Sequence, residues 1–212
     1  TVADSGELDY ETTPSYTLVV EITKADTTTQ SADITLNVTN VNEGVVIGTQ
    51  TWSESNMSLV PTAFNSLGTD YWTAYDGTDG SGDATDEDGY YYTWDAAMNV
   101  CPSGWRLPSD RDWKVLEGHL GMTDTQQNLI GWRGTDEGTK LKVSGSSGFE
   151  AKLAGIRGAN GFFGRGDYMH LWSSTQSGNR NAYRRYLRSS YATIYRSAQG
   201  KTNGLSVRCL KD

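Results

Sequence analysis

The spacing of apolar positions changes character along the chain. Near its start Tyr16, Leu18, Val20 and Ile22 alternate with Thr17, Val19, Glu21 and Thr23, and Ile34, Leu36 and Val38 alternate with Thr35, Asn37 and Thr39. A period of two places each set on one face of a strand, which predicts a half-buried β-hairpin around the polar turn Ala25 to Ser31. A hairpin alone buries too little to stand in water, so these strands need the rest of a sandwich or a neighbouring domain. After Gly44 the texture becomes aromatic and glycine-rich, and two helices are predicted. Thr93 caps a short one reaching Cys101, with Asp95 in its positive first turn and Pro102 to Gly104 ending it. Ser109 caps the second, with Asp112 three residues on and Trp113, Leu116 and Leu120 sharing a face before Gly121.

From Gly131 onward strands and loops are expected. Gly148 to Gly166 holds Phe149, Leu153, Ile156, Phe162 and Phe163 among glycines, the pattern of a long irregular excursion anchored by apolar side chains. Leu171 to Ser174, Ala182 to Leu187, Thr193 to Arg196 and Leu205 to Leu210 then read as four strands, the last turning Leu205, Val207 and Cys209 toward a core. The fold class is therefore α+β. A partial β-sandwich segment, residues 1–44, precedes a larger domain, residues 45–212, in which two short helices pack on antiparallel strands with long loops.

Charge modifies the picture by its distribution. The formal net charge is −8, yet residues 1–100 carry 17 Asp and Glu against Lys24 alone, whereas residues 165–212 carry nine Lys and Arg against Asp167 and Asp212. A local excess of +7 (9 − 2) on an acidic protein is a patch, while the acidic remainder would repel a nucleic acid. No apolar run approaches a membrane span, so no membrane insertion is expected. Between Asp70 and Gly89, residues Asp76, Asp79, Asp83, Asp86, Glu87 and Asp88 form a polar loop that offers oxygen ligands to Ca²⁺ without an EF-hand spacing. No other metal or cofactor is expected. The two cysteines, Cys101 and Cys209, lack a C-x-x-C spacing and have only His119 and His170 to complete a zinc site. They are either two buried thiols or a bridge across more than a hundred residues, which the chain-entropy argument values at roughly 4 kcal/mol. A bridge would imply an oxidising compartment.

Two resemblances bear on these readings. Leu8-Asp9-Tyr10-Glu11, Tyr16 to Glu21, Ile34 to Val38 and Asn40-Val41-Asn42-Glu43 resemble the second half of a cadherin or Ig-like repeat, whose acidic ends bind calcium. The closing Asp-x-Asn-Asp of that family is here Asn40-Val41-Asn42-Glu43. Five further blocks resemble, in order, the major paralogous domain first described from Fibrobacter succinogenes. They are Tyr92 to Ala97, Cys101-Pro102-Ser103-Gly104-Trp105-Arg106-Leu107-Pro108-Ser109, Leu153 to Arg157, Trp172 to Thr175, and Gly204 to Asp212. The resemblance implies a C-type lectin fold, with its ends joined by a Cys101–Cys209 bridge.

Members of that family, with other C-type lectin folds, serve as variable receptor-binding proteins of diversity-generating retroelements, in which adenine mutagenesis scatters a C-terminal stretch among Asn, Ser, Thr, Tyr, Arg, Ala, Ile, Asp and Gly. The segment Asn179 to Arg196 is drawn almost wholly from that alphabet. Its candidate ligand-binding residues are Asn179, Asn181, Tyr183, Arg184, Tyr186, Arg188, Ser190, Tyr191, Thr193, Tyr195 and Arg196. With Leu187 facing the core, alternation turns Arg184, Tyr186 and Arg188 outward, and Tyr and Arg supply most contact energy at interfaces. Tyr183 and Arg185 share the parity of Leu187, so a bulge or a barrel-edge position is expected there.

These features suggest an extracellular binding protein, on a cell or virion surface, whose partner is a protein or glycan on another cell. An enzyme is not expected. A formylglycine-generating enzyme of the same fold works through reactive cysteines, and here both would be structural. His119 falls on a helix face and His170 in a loop, with no nucleophile elbow nearby. A calcium-dependent sugar lectin would need a Glu-Pro-Asn or Gln-Pro-Asp tripeptide, which the sequence lacks. A surface spacer without a ligand is the third reading.

Overall fold

The computed structural model describes residues 44–59, 71 and 88–212 in full, together with the backbone of residues 15–23, 29–37 and 72. Two compact units result, Thr1–Glu43 and Gly44–Asp212. In the first, strands β1 (Ser15–Thr23) and β2 (Thr29–Asn37) pair antiparallel with Ser15 opposite Asn37 and Thr23 opposite Thr29. The calcium reading at Asp9 and Glu11, the Asn40 to Glu43 motif and the acidic loop from Asp76 to Glu87 lie outside the described residues.

The second unit opens with β3 (Val45–Ile47), β4 (Gln50–Trp52), β5 (Tyr71–Trp72), β6 (Tyr91–Tyr92), α1 (Trp94–Ala97) and β7 (Trp105–Arg106). It continues with α2 (Asp110–His119), α3 (Asp124–Asn128), β8 (Gly131–Arg133), α4 (Glu137–Leu141), β9 (Ile156–Gly158) and β10 (Gly161–Phe163). Four strands close it: β11 (Tyr168–Gln176), β12 (Asn181–Arg188), β13 (Ile194–Gly200) and β14 (Leu210–Lys211). The architecture is mixed α/β, with antiparallel ladders and short helices.

Both expected helices begin where their caps predict. Ser109 Oγ accepts the Asp112 N–H at 3.2 Å and the Asp112 carboxylate accepts the Ser109 N–H at 2.7 Å, a reciprocal box that starts α2. Thr93 caps α1 by accepting the Ala96 N–H alone, with no return bond, and α1 ends at Ala97 rather than reaching Cys101. There the Asn99 N–H turns to the Ala96 carbonyl, and Pro102 disfavours helical geometry at Cys101. Two helices escaped the pattern reading. α3 carries its own Thr123–Gln126 capping box, whereas α4 has no side-chain cap at Asp136. The excursion after Gly148 contains the small β9–β10 hairpin; Phe149, Ile156 and Phe162 are buried and Phe163 is exposed.

Two sheets organise the unit, one in the order β11-β12-β13-β8 and the other β3-β4-β14-β7. The second joins the beginning and end of the unit, since Leu210 pairs with both Trp52 and Arg106. Beside it Cys101 and Cys209 form a disulfide across a sequence separation of 108, with Cα atoms 5.8 Å apart. Leu205, Val207 and Cys209 are fully buried as expected, but so are Ser206 and Arg208 between them. This last segment is covered on both faces, so alternation recovered only half of its environment.

One core lies between α2 and the inward face of the larger sheet, where Trp113 and Leu116 meet Met169, Leu171, Leu187 and Ile194. A second core, containing Trp94 of α1, Val207 and Cys209, covers Trp172 and Ala182 on the opposite face of that sheet. It covers one end only. The other end of the opposite face is open, and there the candidate site lies.

Candidate functional site

The face is built by register. His170 of β11 pairs with Tyr186 of β12, Tyr186 with Tyr195 of β13, and Tyr195 with Trp132 of β8, so four rings form a row across four strands. Flanking pairs are Tyr168 with Arg188 on one side and Trp172 with Arg184 and Ser197 on the other. Residues that pair across antiparallel strands project to the same side, so this parity alone gathers the side chains.

Tyr186 is the hub. It stacks on His170 with ring centroids 4.6 Å apart and meets Trp132, Tyr168 and Tyr195 at 5.1, 5.5 and 5.6 Å. Tyr191, from the turn after β12, stacks on Trp132 at 4.3 Å. Each such ring pair adds about 0.5–1.5 kcal/mol to its area burial, so the cluster is fixed before any ligand arrives. Arg184 and Arg188 lie over Tyr186 and Tyr168, both at 5.5 Å.

Arg184 Nη1 donates to His170 Nδ1 at 2.5 Å, and Arg184 Nε donates to Ser197 Oγ at 3.1 Å. A guanidinium only donates, so His170 accepts at Nδ1 and carries its hydrogen on Nε2. Burial first, and the neighbouring Arg184 charge second, hold the His170 pKa well below its ordinary value. Burial likewise lowers that of Arg184 to about 10. His170 belongs to β11 and not to a loop, which corrects the sequence reading.

The turn between β12 and β13 is held through its backbone. Lys142 Nζ donates to the carbonyls of Ser189 and Tyr191 at 3.0 and 2.6 Å, the Thr139 N–H donates to the Ala192 carbonyl at 3.1 Å, and the Ser189 N–H donates to the Asp167 carbonyl at 2.8 Å. None of these bonds uses the side chains of Ser190, Tyr191 or Ala192. Turn shape is therefore independent of what those positions display.

The candidate residues separate into three groups. Arg184, Tyr186, Arg188, Tyr191 and Tyr195 come together on the open face, with Ser190 and Thr193 in the turn beside them. Asn179 and Asn181 are exposed at the far end of the β11–β12 hairpin, about 17 Å of strand from Tyr186. Tyr183 and Arg196 take the inward parity: Arg196 is only 6% exposed, and its guanidinium stacks at 4.3 Å on the Tyr183 ring. Trp132, Tyr168, His170 and Ser197 are the face residues that the sequence reading missed. They lie outside the Asn179 to Arg196 segment and become neighbours of its side chains through strand pairing.

The parity difficulty at Tyr183 and Arg185 is resolved without a bulge in β12, whose register with β13 runs unbroken from Asn181 to Tyr186. The irregularity lies in β11, between Trp172 and Gln176. Arg185 points inward because carboxylates wait there. Its Nε donates to Glu117 Oε1 at 2.5 Å and its Nη1 to Asp110 Oδ1 at 2.8 Å. Arg196 grips Asp110 with two bonds of 2.8 and 2.7 Å, and Arg133 reaches Glu117 at 2.7 Å. Asp110 and Glu117 are seven positions apart on α2 and share one helix face, so two acids fasten α2 to three strands. Burial alone would raise the Asp110 carboxyl, but the hydrogen bonds and charges of Arg196 and Arg185 outweigh it and hold the pKa far below the ordinary carboxylate value.

Among the described residues no group of three His, Cys, Asp or Glu could hold a metal ion, and no helix is long and apolar enough to cross a membrane. What the face offers chemically is ring edges, phenol hydroxyls and guanidinium donors on a rigid support.

The unit is thus a mixed α/β domain of antiparallel sheets in which a disulfide ties the segment after α1 to the last segment of the chain. The family model of the Fibrobacter succinogenes major domain matches residues 45–211, and the chain belongs to that family. No curated protein and no solved structure matches the chain.

Proposed function

We propose that residues 45–212 form an extracellular, non-catalytic recognition domain of the C-type lectin fold that binds a protein on another cell through the open face of the β11-β12-β13-β8 sheet. The observation that carries this reading is the in-register row His170, Tyr186, Tyr195 and Trp132, bordered by Arg184 and Arg188. Tyr, Trp and Arg are the residues that dominate binding energy at protein interfaces. Here they stand on a sheet whose other side is clamped by buried ion pairs and a packed core. The disulfide is compatible with an oxidising, extracellular setting.

We further propose that the display is diversified by a retroelement. Two features support this: the composition of Asn179 to Arg196, and the division of labour within it. Tyr186, Arg188, Ser190 and Tyr191 can change without touching either core, whereas Arg185, Leu187, Ile194 and Arg196 are structural. Sequencing the surrounding locus tests it. A template repeat should differ from the coding copy at adenines in codons of the outward set and match it at Arg185 and Arg196; a locus without such a repeat sinks diversification. Binding is tested by probing arrays of cell-surface proteins and of glycans with the native chain and with Tyr186→Ser/Tyr191→Ser. Protein signals should vanish in the variant while the fold is retained. Unchanged signals would refute the face, and glycan signals alone would favour the sugar-binding reading.

A further inference from the structure

The charges of the larger sheet are almost all answered from within. Arg185 and Arg196 hold Asp110, Arg185 and Arg133 hold Glu117, and Arg188 lies 3.4 Å from Asp167. Arg184 is the exception. Among the described residues no carboxylate reaches it, and its two hydrogen bonds go to the neutral acceptors His170 Nδ1 and Ser197 Oγ. Arg208 also lacks a carboxylate hydrogen bond, but it is 1% exposed and sealed over Phe149, where no partner can arrive. Arg184 is partly exposed and opens onto the face.

A guanidinium has five N–H donors in a fixed plane. One on Nε and one on Nη1 are used, so three remain, one on Nη1 and two on Nη2, to meet a carboxylate. His170 positions the group from one side and the Tyr186 ring lies 5.5 Å from the guanidinium carbon on another. The plane is therefore held while its counter-charge is missing. A half-buried cation without a counter-ion loses hydration that hydrogen bonds to neutral acceptors replace only in part. Such a group at an interface becomes favourable when the partner brings the opposite charge.

Resting on the binding face proposed above, we infer that Arg184 is the anchor for an Asp or Glu side chain presented by a protein partner. Charge complementarity points the same way. With Arg185, Arg196 and Arg208 buried, the face itself presents Arg184 and Arg188 against the single carboxylate of Asp167, so it favours a locally acidic partner. A protein is favoured over an acidic sugar because one face of Trp132 is covered by Tyr191 and one face of Tyr186 by His170. The rings a sugar would stack on are thus half occupied, while edges, hydroxyls and guanidinium donors remain for side chains and backbone.

The probe is a display library of random 12-residue peptides, selected on the full chain and resynthesised for affinity measurement. Selected peptides should share one Asp or Glu. Changing that residue to Asn or Gln should weaken binding to the native chain about tenfold or more, yet by less than about twofold against Arg184→Gln, the signature of direct coupling. Arg184→Lys keeps the charge and loses the planar set of donors. It should give an intermediate loss, and it serves as the readout if Arg184→Gln melts early. Peptides that need Tyr186 and Tyr191 but no acid would overturn this inference and leave the face standing. Peptides that bind Tyr186→Ser/Tyr191→Ser equally well would overturn both. Failure to select any peptide, or competition by sialic acid, glucuronic acid or inorganic phosphate in place of acidic peptides, would also overturn it.

Discussion

Arg185 and Arg188 stand three positions apart on one strand, and the structure assigns them opposite energetic roles. Arg185 is 1% exposed and binds both Asp110 and Glu117, whereas the Arg188 side chain is 39% exposed and its nearest carboxylate oxygen, on Asp167, is 3.4 Å away. Arg185→Ala leaves Glu117 buried with Arg133 as its remaining cation and removes one of the three cations around Asp110, where Arg196 and Lys114 remain. Breaking a buried pair from one side costs about 3–5 kcal/mol, because the abandoned charge stays in low dielectric. In a domain of this size each kcal/mol moves the melting temperature by roughly 2–4 °C, so a fall of about 10 °C is expected. Arg188→Ala removes an exposed contact worth about 0–1 kcal/mol and should lower Tm by no more than about 4 °C. Circular dichroism melts of both variants, with the disulfide intact, provide the comparison. A double variant, Glu117→Gln/Arg185→Met, should not recover the loss, since Arg133, whose side chain is 0% exposed, is then the buried charge without its carboxylate. If the two single variants melt within about 2 °C of each other, the assignment of inward and outward parity along β12 is wrong.

Other consequences follow from the same contacts. Cys101→Ser/Cys209→Ser opens a closure spanning 108 positions and should cost about 2–5 kcal/mol, read as a lower denaturant midpoint that matches native protein in reductant; equal midpoints for native and variant would contradict it. The His170 pKa is held below its ordinary value of 6.5, so the unfolded chain takes up a proton there before the folded one does. Stability from this group is complete above pH 6.5 and is lost as the pH falls, with a limiting slope of about 1.4 kcal/mol per pH unit, and His170→Gln should flatten that slope. Asp110, lowered in the fold, adds a loss of the same sign below about pH 4; a native Tm that stays level from pH 7 to 5 would rule out the His170 contribution. In Gly138→Ala a new Cβ would lie 2.4 Å from the Thr193 carbonyl oxygen and 2.7 Å from that of Ala192, both backbone atoms. The variant should lose about 1–3 kcal/mol and weaken the near-ultraviolet signal of the Trp132–Tyr191 stack; an unchanged spectrum would argue against close contact of α4 with the turn.

Some of this molecule is determined locally and is legible without coordinates. Ser109 and Thr93 start their helices because a side-chain oxygen satisfies a nearby N–H, an interaction that spans three residues. Strands β12 and β13 are legible as short runs in the sequence, as is part of β11, and the family blocks from Tyr92 to Asp212 place the domain as a whole. The outward turn of Arg184, Tyr186 and Arg188 also follows from period two once Leu187 is assigned to the core.

What alternation misreads is charge that goes inside. Asp110, Glu117, Arg133, Arg185 and Arg196 look like solvent-facing residues one at a time, because no single one of them can be buried unpaired. Each is buried only because the others arrive from elements up to 86 positions away. The ring row has the same origin: Trp132, His170, Tyr186 and Tyr195 share no sequence spacing, and strand register alone makes them adjacent. Local periodicity therefore determined the elements and which way most side chains turn. Pairing between distant strands decided which charges could be hidden and which rings could meet, since both require partners that the neighbouring sequence does not contain.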